Sequence, residues 1–276
     1  MMRRLLKVLA RMSIRNMANP RYPNAYNSIG ETCEVMRIDR SWYDEPYYNA
    51  RPEQGYGKQY LEADGTPKVW GYEGNADYLG YNIIVPALKR VFHPGRMLCV
   101  GCGTGAEVKY SLRGGIDAYG FDFSDYAILT NPLNVPKFRL ILADARYMPF
   151  RSQSFDFVFN TDLLEHIPEK DVELTVNDMF RISSRWVFSN IGGLPEWEPE
   201  WKGYSFDYGE EIPVEKQKPA AAGHLNVRRR EYWVKKLSHE GWRLRDDLNE
   251  RFTRLANKLG AVQFWFDIVI MEKEKP

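Results

Sequence analysis

The segment Met97-Leu-Cys-Val-Gly-Cys-Gly-Thr-Gly105 constrains the fold of this chain more than any other. An apolar strand runs straight into a turn with glycine at 101, 103 and 105, and a helical pattern comes next. Lacking a Cβ, Gly101, Gly103 and Gly105 let the backbone turn sharply and lie close against a bound ligand. Gly101-x-Gly103-x-x-Ala106 also meets the looser dinucleotide-binding pattern, with Asp122 at the spacing of a ribose-binding carboxylate. On its own the segment implies a nucleoside-containing cofactor at the carboxyl ends of parallel strands, and nothing finer.

Around it, short apolar stretches alternate with helical ones, the pattern of βαβ units in a parallel sheet. Strands are predicted over Met97–Val100, Ala118–Phe121, Phe138–Leu142, Phe155–Phe159 and Trp186–Asn190, and helices over Tyr81–Val91, Ala106–Leu112, Asp125–Thr130 and Lys170–Ile182. Asn226–Glu240 reads as a later helix, with Trp233 and Leu237 on one face and Gly241 as its stop. Trp242–Leu244 and Phe264–Met271 read as closing strands, the second alternating as an antiparallel partner does.

Two regions fall outside the alternation. Residues 41–81 hold ten Trp and Tyr residues, interleaved with glycines and without a helical or strand period, which suits short elements lying over something. Residues 192–223 are rich in Gly, Pro and aromatics, and a connection of that length inside a domain suits a lid. The organisation expected is an N-terminal helix and aromatic cover over 1–80 and a cofactor-binding domain over 81–276 with the lid inserted at 192–223.

The first thirty residues carry Arg3, Arg4, Lys7, Arg11, Arg15 and Arg21 and no acid. Wound as a helix, the first five of these share an arc of about 120° opposite Leu5, Leu6, Val8, Leu9 and Met12. Such a helix over residues 1–18 suits a membrane surface, a targeting peptide, or docking on the domain. The whole chain, by contrast, balances 38 Lys and Arg against 37 Asp and Glu, so no overall field draws it to a nucleic acid. Three cysteines make no even disulfide framework and point to a cytoplasmic location. The run Ile83–Leu88 is far too short to cross a bilayer.

With these motifs in order, the chain resembles the class I, Rossmann-like, S-adenosylmethionine-dependent methyltransferases of the type-11 kind. The resemblance covers roughly residues 81–191 and implies a doubly wound, mostly parallel seven-stranded α/β sheet with an antiparallel closing strand. Val100-Gly-Cys-Gly-Thr-Gly105 is similar to the family's first motif, whose glycines, here Gly101, Gly103 and Gly105, cradle the methionine part of the cofactor. Gly120-Phe-Asp122-Phe-Ser124 resembles the end of the second strand, and Asp122 would hold both ribose hydroxyls. Ala143-Asp144-Ala145, with Met148-Pro-Phe150 after it, resembles the third motif, with Asp144 and Ala145 at the adenine. Phe155–Phe159, ending at Asn160 beside the cofactor, and Leu163-Leu-Glu-His-Ile-Pro168 resemble the fourth strand and the helix behind it. The family carries an acid at the position of Cys99, where it helps to hold the cofactor's amino group; cysteine lacks that charge, which leaves Glu107 or a backbone carbonyl to meet it.

Each remaining candidate has a plainer reading beside the functional one. Asp122 could cap the helix after Ser124, and Asp162-x-x-Glu165 reads first as a capping box. Cys99-x-x-Cys102 has the spacing of half a zinc or redox site, yet no second pair accompanies it, so no metal is expected. His166 either packs behind the fourth strand or faces the substrate, and His224, at the end of the lid, either borders the acceptor pocket or is an ordinary loop residue. Arg228, Arg229 and Arg230 would greet an anionic substrate or form the solvated start of a helix. Tyr232 and Lys236 repeat a dehydrogenase-like pair that any helix places on one face.

The activity implied is methyl transfer from S-adenosylmethionine to a hydroxyl of a sugar, glycan or other small molecule, with His224 and His166 as the candidate bases. A lipid-linked acceptor would suit the basic helix of residues 1–18. The rivals are an NAD-dependent oxidoreductase on the same glycines and a non-catalytic subunit that binds S-adenosylmethionine.

Overall fold

Alternating side chains along each strand build this protein outward from the middle of one sheet. The computed structural model describes residues 80–192, 228–261 and 268–275, Tyr43, Tyr48 and Asn226, and the backbone of residues 59–61, 67–69 and 267. The helix expected over residues 1–18, most of the lid and His224 lie outside the described residues.

Strands β1 (Gln59–Leu61) and β2 (Pro67–Val69) pair with each other as an antiparallel ladder. The main body then runs α1 (Tyr81–Phe92), β3 (Arg96–Val100), α2 (Ala106–Arg113), β4 (Asp117–Asp122), α3 (Asp125–Thr130) and β5 (Leu140–Leu142). It continues through β6 (Phe155–Thr161), α4 (Glu169–Ile182), β7 (Ser183–Ile191), α5 (Arg230–Leu237), β8 (Trp242–Leu244), α6 (Asp246–Lys258) and β9 (Asp267–Lys273). Strands β3 to β9 form one seven-stranded sheet in the order β5-β4-β3-β6-β7-β9-β8. β5, β4, β3, β6 and β7 run parallel, and β9 enters antiparallel between β7 and β8.

This is the α/β, Rossmann-like arrangement that the sequence implies. Phe157 and Phe159 of β6, with Met97 and Cys99 of β3, pack on one face against α1, α2 and α6, through Phe92, Val108 and Phe252. Val158, Leu98 and Val100 point to the other face, against Val172, Val176 and Met179 of α4 and Trp233 of α5. Both faces are covered, so the central strands read as nearly continuous apolar runs. The chain builds leftward from β3 to β5 and then returns to place β6 on the other side of β3. That reversal opens a crevice beyond the carboxyl ends of β3 and β6, where open α/β sheets bind ligands.

Among the departures from the sequence expectation, two boundaries and one added helix have a clear physical reason. The third strand keeps only Leu140–Leu142, because residues 137–139 make a 3₁₀ turn after Pro136 that leaves Phe138 at 53% exposure. The helix expected from Asn226 starts at Arg230 and ends at Leu237. Asn226 is instead stitched to the loop after β6: its backbone N–H donates to the Glu165 carbonyl at 2.8 Å and its side-chain amide to the carbonyl of Ile167. Helix α6 has no counterpart in the expectation, although Leu248, Phe252 and Ala256 recur at a spacing of four residues and are its buried positions. Among the described residues no helix is long and apolar enough to cross a membrane.

Candidate active site

The glycine turn is held by the strand beside it. The backbone N–H groups of Gly101 and Cys102 both donate to the Phe121 carbonyl, at 3.0 and 2.9 Å. Gly101 and Gly105 sit in the left-handed region at φ 71° and 88°, which favours glycine. A Cβ at Gly101 would also stand 2.8 Å from Leu163 Cδ1, so the turn and the loop after β6 touch with no room for a side chain between them.

Asp122 at the end of β4 binds this turn directly. Its Oδ2 accepts the Gly103 N–H at 2.9 Å and its Oδ1 the Ser124 N–H at 2.8 Å. Burial raises its carboxyl above the ordinary range, and those amides oppose the rise. The helix cap belongs to Ser124, whose hydroxyl accepts the Ala127 N–H at 3.1 Å. A carboxylate offers about four lone-pair directions, so two amides leave Asp122 able to accept from a ligand. Asp144, beyond β5, is paired with Arg146 through Nη2 to Oδ2 at 2.7 Å and Nε to Oδ1 at 3.0 Å. Arg146 also reaches Asp171 on α4 at 3.4 Å. Ala145 lies buried between the members of that pair.

At the end of β6, the Asn160 side chain donates to the Ser189 hydroxyl at 2.8 Å and the Phe188 carbonyl at 3.3 Å, so its donors are spent on β7. Asp162 and Glu165 do not form the expected capping box. Asp162 takes the left-handed φ of 50°, and no side chain caps the 3₁₀ turn over Leu164–His166 or helix α4. Glu165 instead accepts the Gly192 N–H at 2.8 Å, tying the loop to the end of β7. Among the described residues its other oxygen, also buried, has no partner. Burial holds Asp162 at about 6, and burial together with the Asp162 charge pushes Glu165 up as well.

A further acid, on α2, is buried against α1 and the end of β6. Glu107 Oε1 accepts from the Tyr81 hydroxyl at 2.7 Å and the Thr161 hydroxyl at 3.3 Å, and those two hydroxyls are themselves 2.9 Å apart. The three residues come from α1, α2 and the last position of β6. Burial pushes Glu107 up to about 7, against the opposing effect of these hydroxyl donors. Among the described residues it has no cationic partner. A buried acid with hydroxyl donors and no counter-charge among the described residues, close to a glycine turn, fits a ligand with a positively charged end.

Two aromatic residues of the N-terminal region reach this edge. Tyr43 spans it: the Ser124 hydroxyl donates to its carbonyl at 2.5 Å, its ring packs edge-on to Phe123, and its own hydroxyl lies 3.0 Å from His166 Nδ1. Tyr48 stacks on Tyr126 and would lie 3.5 Å from a Cβ at Gly103. His166 therefore sits at the sheet's carboxyl edge with one ring nitrogen engaged, while His224 lies outside the described residues.

The other candidates have structural partners. Cys99 and Cys102 are free and buried, and the Cys102 sulfur fills the space where a Gly120 side chain would be. Tyr232 and Lys236 both serve Glu169, the tyrosine by donating to Oε2 and the lysine at 2.7 Å from Oε1. Arg228 is not solvated: it is 3% exposed, 5.1 Å over the Tyr232 ring, with Glu169 at 3.7 Å. Tyr81, Thr161 and Arg146 are partners of the candidate site residues that the sequence does not single out. Glu107 carries the one signal that leads to them, an acid two residues beyond the glycine turn behind a cysteine where the family has an acid. Nothing marks Tyr43 among its aromatic neighbours.

Residues 98–185 match the family described as "Methyltransferase domain". The chain matches none of the curated proteins with which it was compared. Among solved structures, it is similar to the PH0226 protein from Pyrococcus horikoshii OT3, at 17% identity and a TM-score of 0.51, over 72% of this chain and 91% of that one. It is also similar to the plantazolicin methyltransferase BpumL in complex with SAH, at 13% identity and a TM-score of 0.54, over 90% of this chain and 100% of that one. The complex of BpumL with a monoazolic desmethylPZN analog and SAH gives a TM-score of 0.51 at 13% identity, over 99% and 97% of the two chains. At these identities the structural likeness speaks for the fold.

Proposed function

We propose that this chain, which through residues 98–185 belongs to the class I S-adenosylmethionine-dependent methyltransferases, is an enzyme that methylates a hydroxyl of a sugar, glycan or other small molecule. The observation that carries the cofactor reading is the bond from the Gly103 N–H to Asp122, which joins the turn for the methionine part to the acid for the ribose. Residues 81–276 then act as the catalytic unit, and residues 1–80 with 192–223 as its covers. Gly101, Gly103 and Gly105 allow main chain to lie along the amino-acid end. Asp122 accepts from the ribose hydroxyls, and Asp144 with Ala145 borders the adenine. Asn160, its side-chain NH₂ committed to β7, contributes through its backbone at the strand end.

S-adenosylmethionine supplies an electrophilic methyl on a sulfonium with a good leaving group. The chain's own work is therefore alignment of the acceptor and exclusion of water, and Tyr43 and Tyr48 over the edge of the sheet support that role. For a hydroxyl acceptor a positioned base adds about 10²- to 10⁴-fold. His166 is the first candidate for that task, because its ring lies at the sheet's carboxyl edge, oriented by the Tyr43 hydroxyl 3.0 Å from Nδ1. His224 is the second candidate.

The family match over residues 98–185 favours methyl transfer over hydride transfer on the same glycines. Incubation with methyl-labelled S-adenosylmethionine and a cell extract tests the reading. Label is expected in an O-methylated small molecule or glycan, at a rate that falls at least tenfold in His166→Ala or His224→Ala. Label confined to protein or to nitrogen would remove the hydroxyl acceptor. Calorimetry showing tight binding of NAD and none of S-adenosylmethionine would remove the methyltransferase itself.

A further inference from the structure

We infer that Glu107 supplies the negative charge that holds the α-ammonium group of the cofactor's amino-acid end, a charge that β3 does not provide because Cys99 stands there. This rests on the cofactor reading above and assigns to α2 a task that the family gives to the first strand.

The geometry carries it. Glu107 lies two residues beyond the glycine turn, and its buried carboxylate meets Thr161 at the carboxyl end of β6. Tyr81 from α1 and Thr161 from β6 fix its Oε1 at 2.7 and 3.3 Å. Among the described residues, the groups that act on it are neutral or acidic. Tyr81 keeps its proton, being pushed well above its ordinary value by burial and by Glu107. From β3 and the turn, Cys99 and Cys102 are held as thiols, by burial first and by the neighbouring acids second. Asp162, after β6, adds negative potential.

A carboxylate in such a place is costly to ionise alone. Without ligand it keeps its proton up to about pH 7. A bound ammonium reverses the balance: the carboxyl proton leaves to solvent, the carboxylate stays, and charge is conserved within the site. The cationic end of the ligand replaces the missing counter-charge, and the hydroxyls of Tyr81 and Thr161 position the acid that receives it.

Calorimetry with two nucleosides separates this from the parent reading. S-adenosylhomocysteine has the ammonium, and 5′-methylthioadenosine has the sugar and base without it. At about pH 6, in two buffers of different ionisation enthalpy, the native protein should bind S-adenosylhomocysteine with release of close to one proton, and methylthioadenosine with none. Glu107→Gln should weaken S-adenosylhomocysteine about 10- to 100-fold, abolish the proton release and leave methylthioadenosine unchanged. Tyr81→Phe, with one donor lost, should shift the proton-release profile to higher pH. Equal loss of both ligands in Glu107→Gln, with Glu107→Asp showing no proton release either, would overturn the assignment. So would an unchanged affinity for S-adenosylhomocysteine. A native protein that binds methylthioadenosine but never distinguishes the two nucleosides leaves the site reading standing and this one refuted. Binding of neither would end both.

Discussion

Asp122 accepts the Gly103 N–H at 2.9 Å, so the acid that ends β4 and the turn after β3 form one rigid piece. Its other oxygen takes the Ser124 N–H, which sets the start of α3. The same carboxylate thus shapes the backbone around the ligand and remains available to accept from it.

Replacing Asp122 by Asn puts an amide NH₂ where one of two backbone donors expects an acceptor. A buried donor left without a partner costs about 1–3 kcal/mol. Asp122→Asn should therefore unfold at a lower temperature without ligand and bind S-adenosylhomocysteine at least tenfold more weakly. Thermal denaturation and calorimetry on the same preparation check both halves. Weaker binding with unchanged stability would mean that the amides find other acceptors.

Gly120 makes a prediction that concerns the fold alone. A Cβ there would stand 2.6 Å from Val108 Cγ2 and 2.7 Å from Cys102 Sγ, both in the layer that seats α2 on the sheet. Overpacking of this kind costs about 1–3 kcal/mol. Gly120→Ala should lose that much in urea denaturation, and Gly120→Ala with Val108→Ala should recover part of it, because the second change makes the missing room.

The pairing of Asp144 with Arg146 separates positioning from packing. Arg146 has 4% and Asp144 10% side-chain exposure, so removing the guanidinium leaves a carboxylate nearly out of water. Breaking a buried pair in this way costs about 3–5 kcal/mol, less here because the Arg146 N–H still donates to Oδ1 at 2.9 Å. Arg146→Met should destabilise by about 3 kcal/mol, and Arg146→Lys by less than Met but more than nothing, since a lysine cannot make the two-pronged contact. Asp144→Asn combined with Arg146→Met should cost less than the sum of the two single changes. Strict additivity in denaturant melts would show that the pair is not coupled.

The sheet is legible where residues repeat with a period. Phe157 and Phe159 against Val158, or Leu98 against Cys99, announce two buried faces, and the glycine turn announces where the ligand end lies. Three features are not legible, each for a physical reason. The third strand loses two residues to a turn that Pro136 begins. The helix after the lid starts late because Asn226 is captured by Glu165 and Ile167, partners about sixty residues away in sequence. The group around Glu107 joins three distant elements through hydroxyl groups, and such contacts leave no period to read. Helix α6 does carry a period, Leu248, Phe252 and Ala256, and its absence from the expectation reflects the polar residues that outnumber them.

Glu107 also makes the stability of the protein depend on pH in the direction opposite to most carboxylates. Its folded value of about 7 lies above the ordinary 4.5, chiefly because of burial. Between those values the folded protein holds a proton that the unfolded chain has lost, so stability falls as pH rises through this window. Its contribution is complete below about pH 4.5 and gone above about pH 7, a change on the order of 3 kcal/mol. Asp162, raised from 3.8 to about 6, acts in the same sense at lower pH. Urea denaturation of the ligand-free protein at intervals between about pH 5 and pH 8 should show this slope superimposed on that of the remaining groups. Glu107→Gln cannot titrate, so the difference between native and variant should shrink or reverse as pH rises. Saturating S-adenosylhomocysteine should remove the effect in the native protein, since the ammonium then holds the carboxylate ionised. A native-minus-variant difference that stays flat across the window would show that Glu107 ionises as freely as an exposed acid.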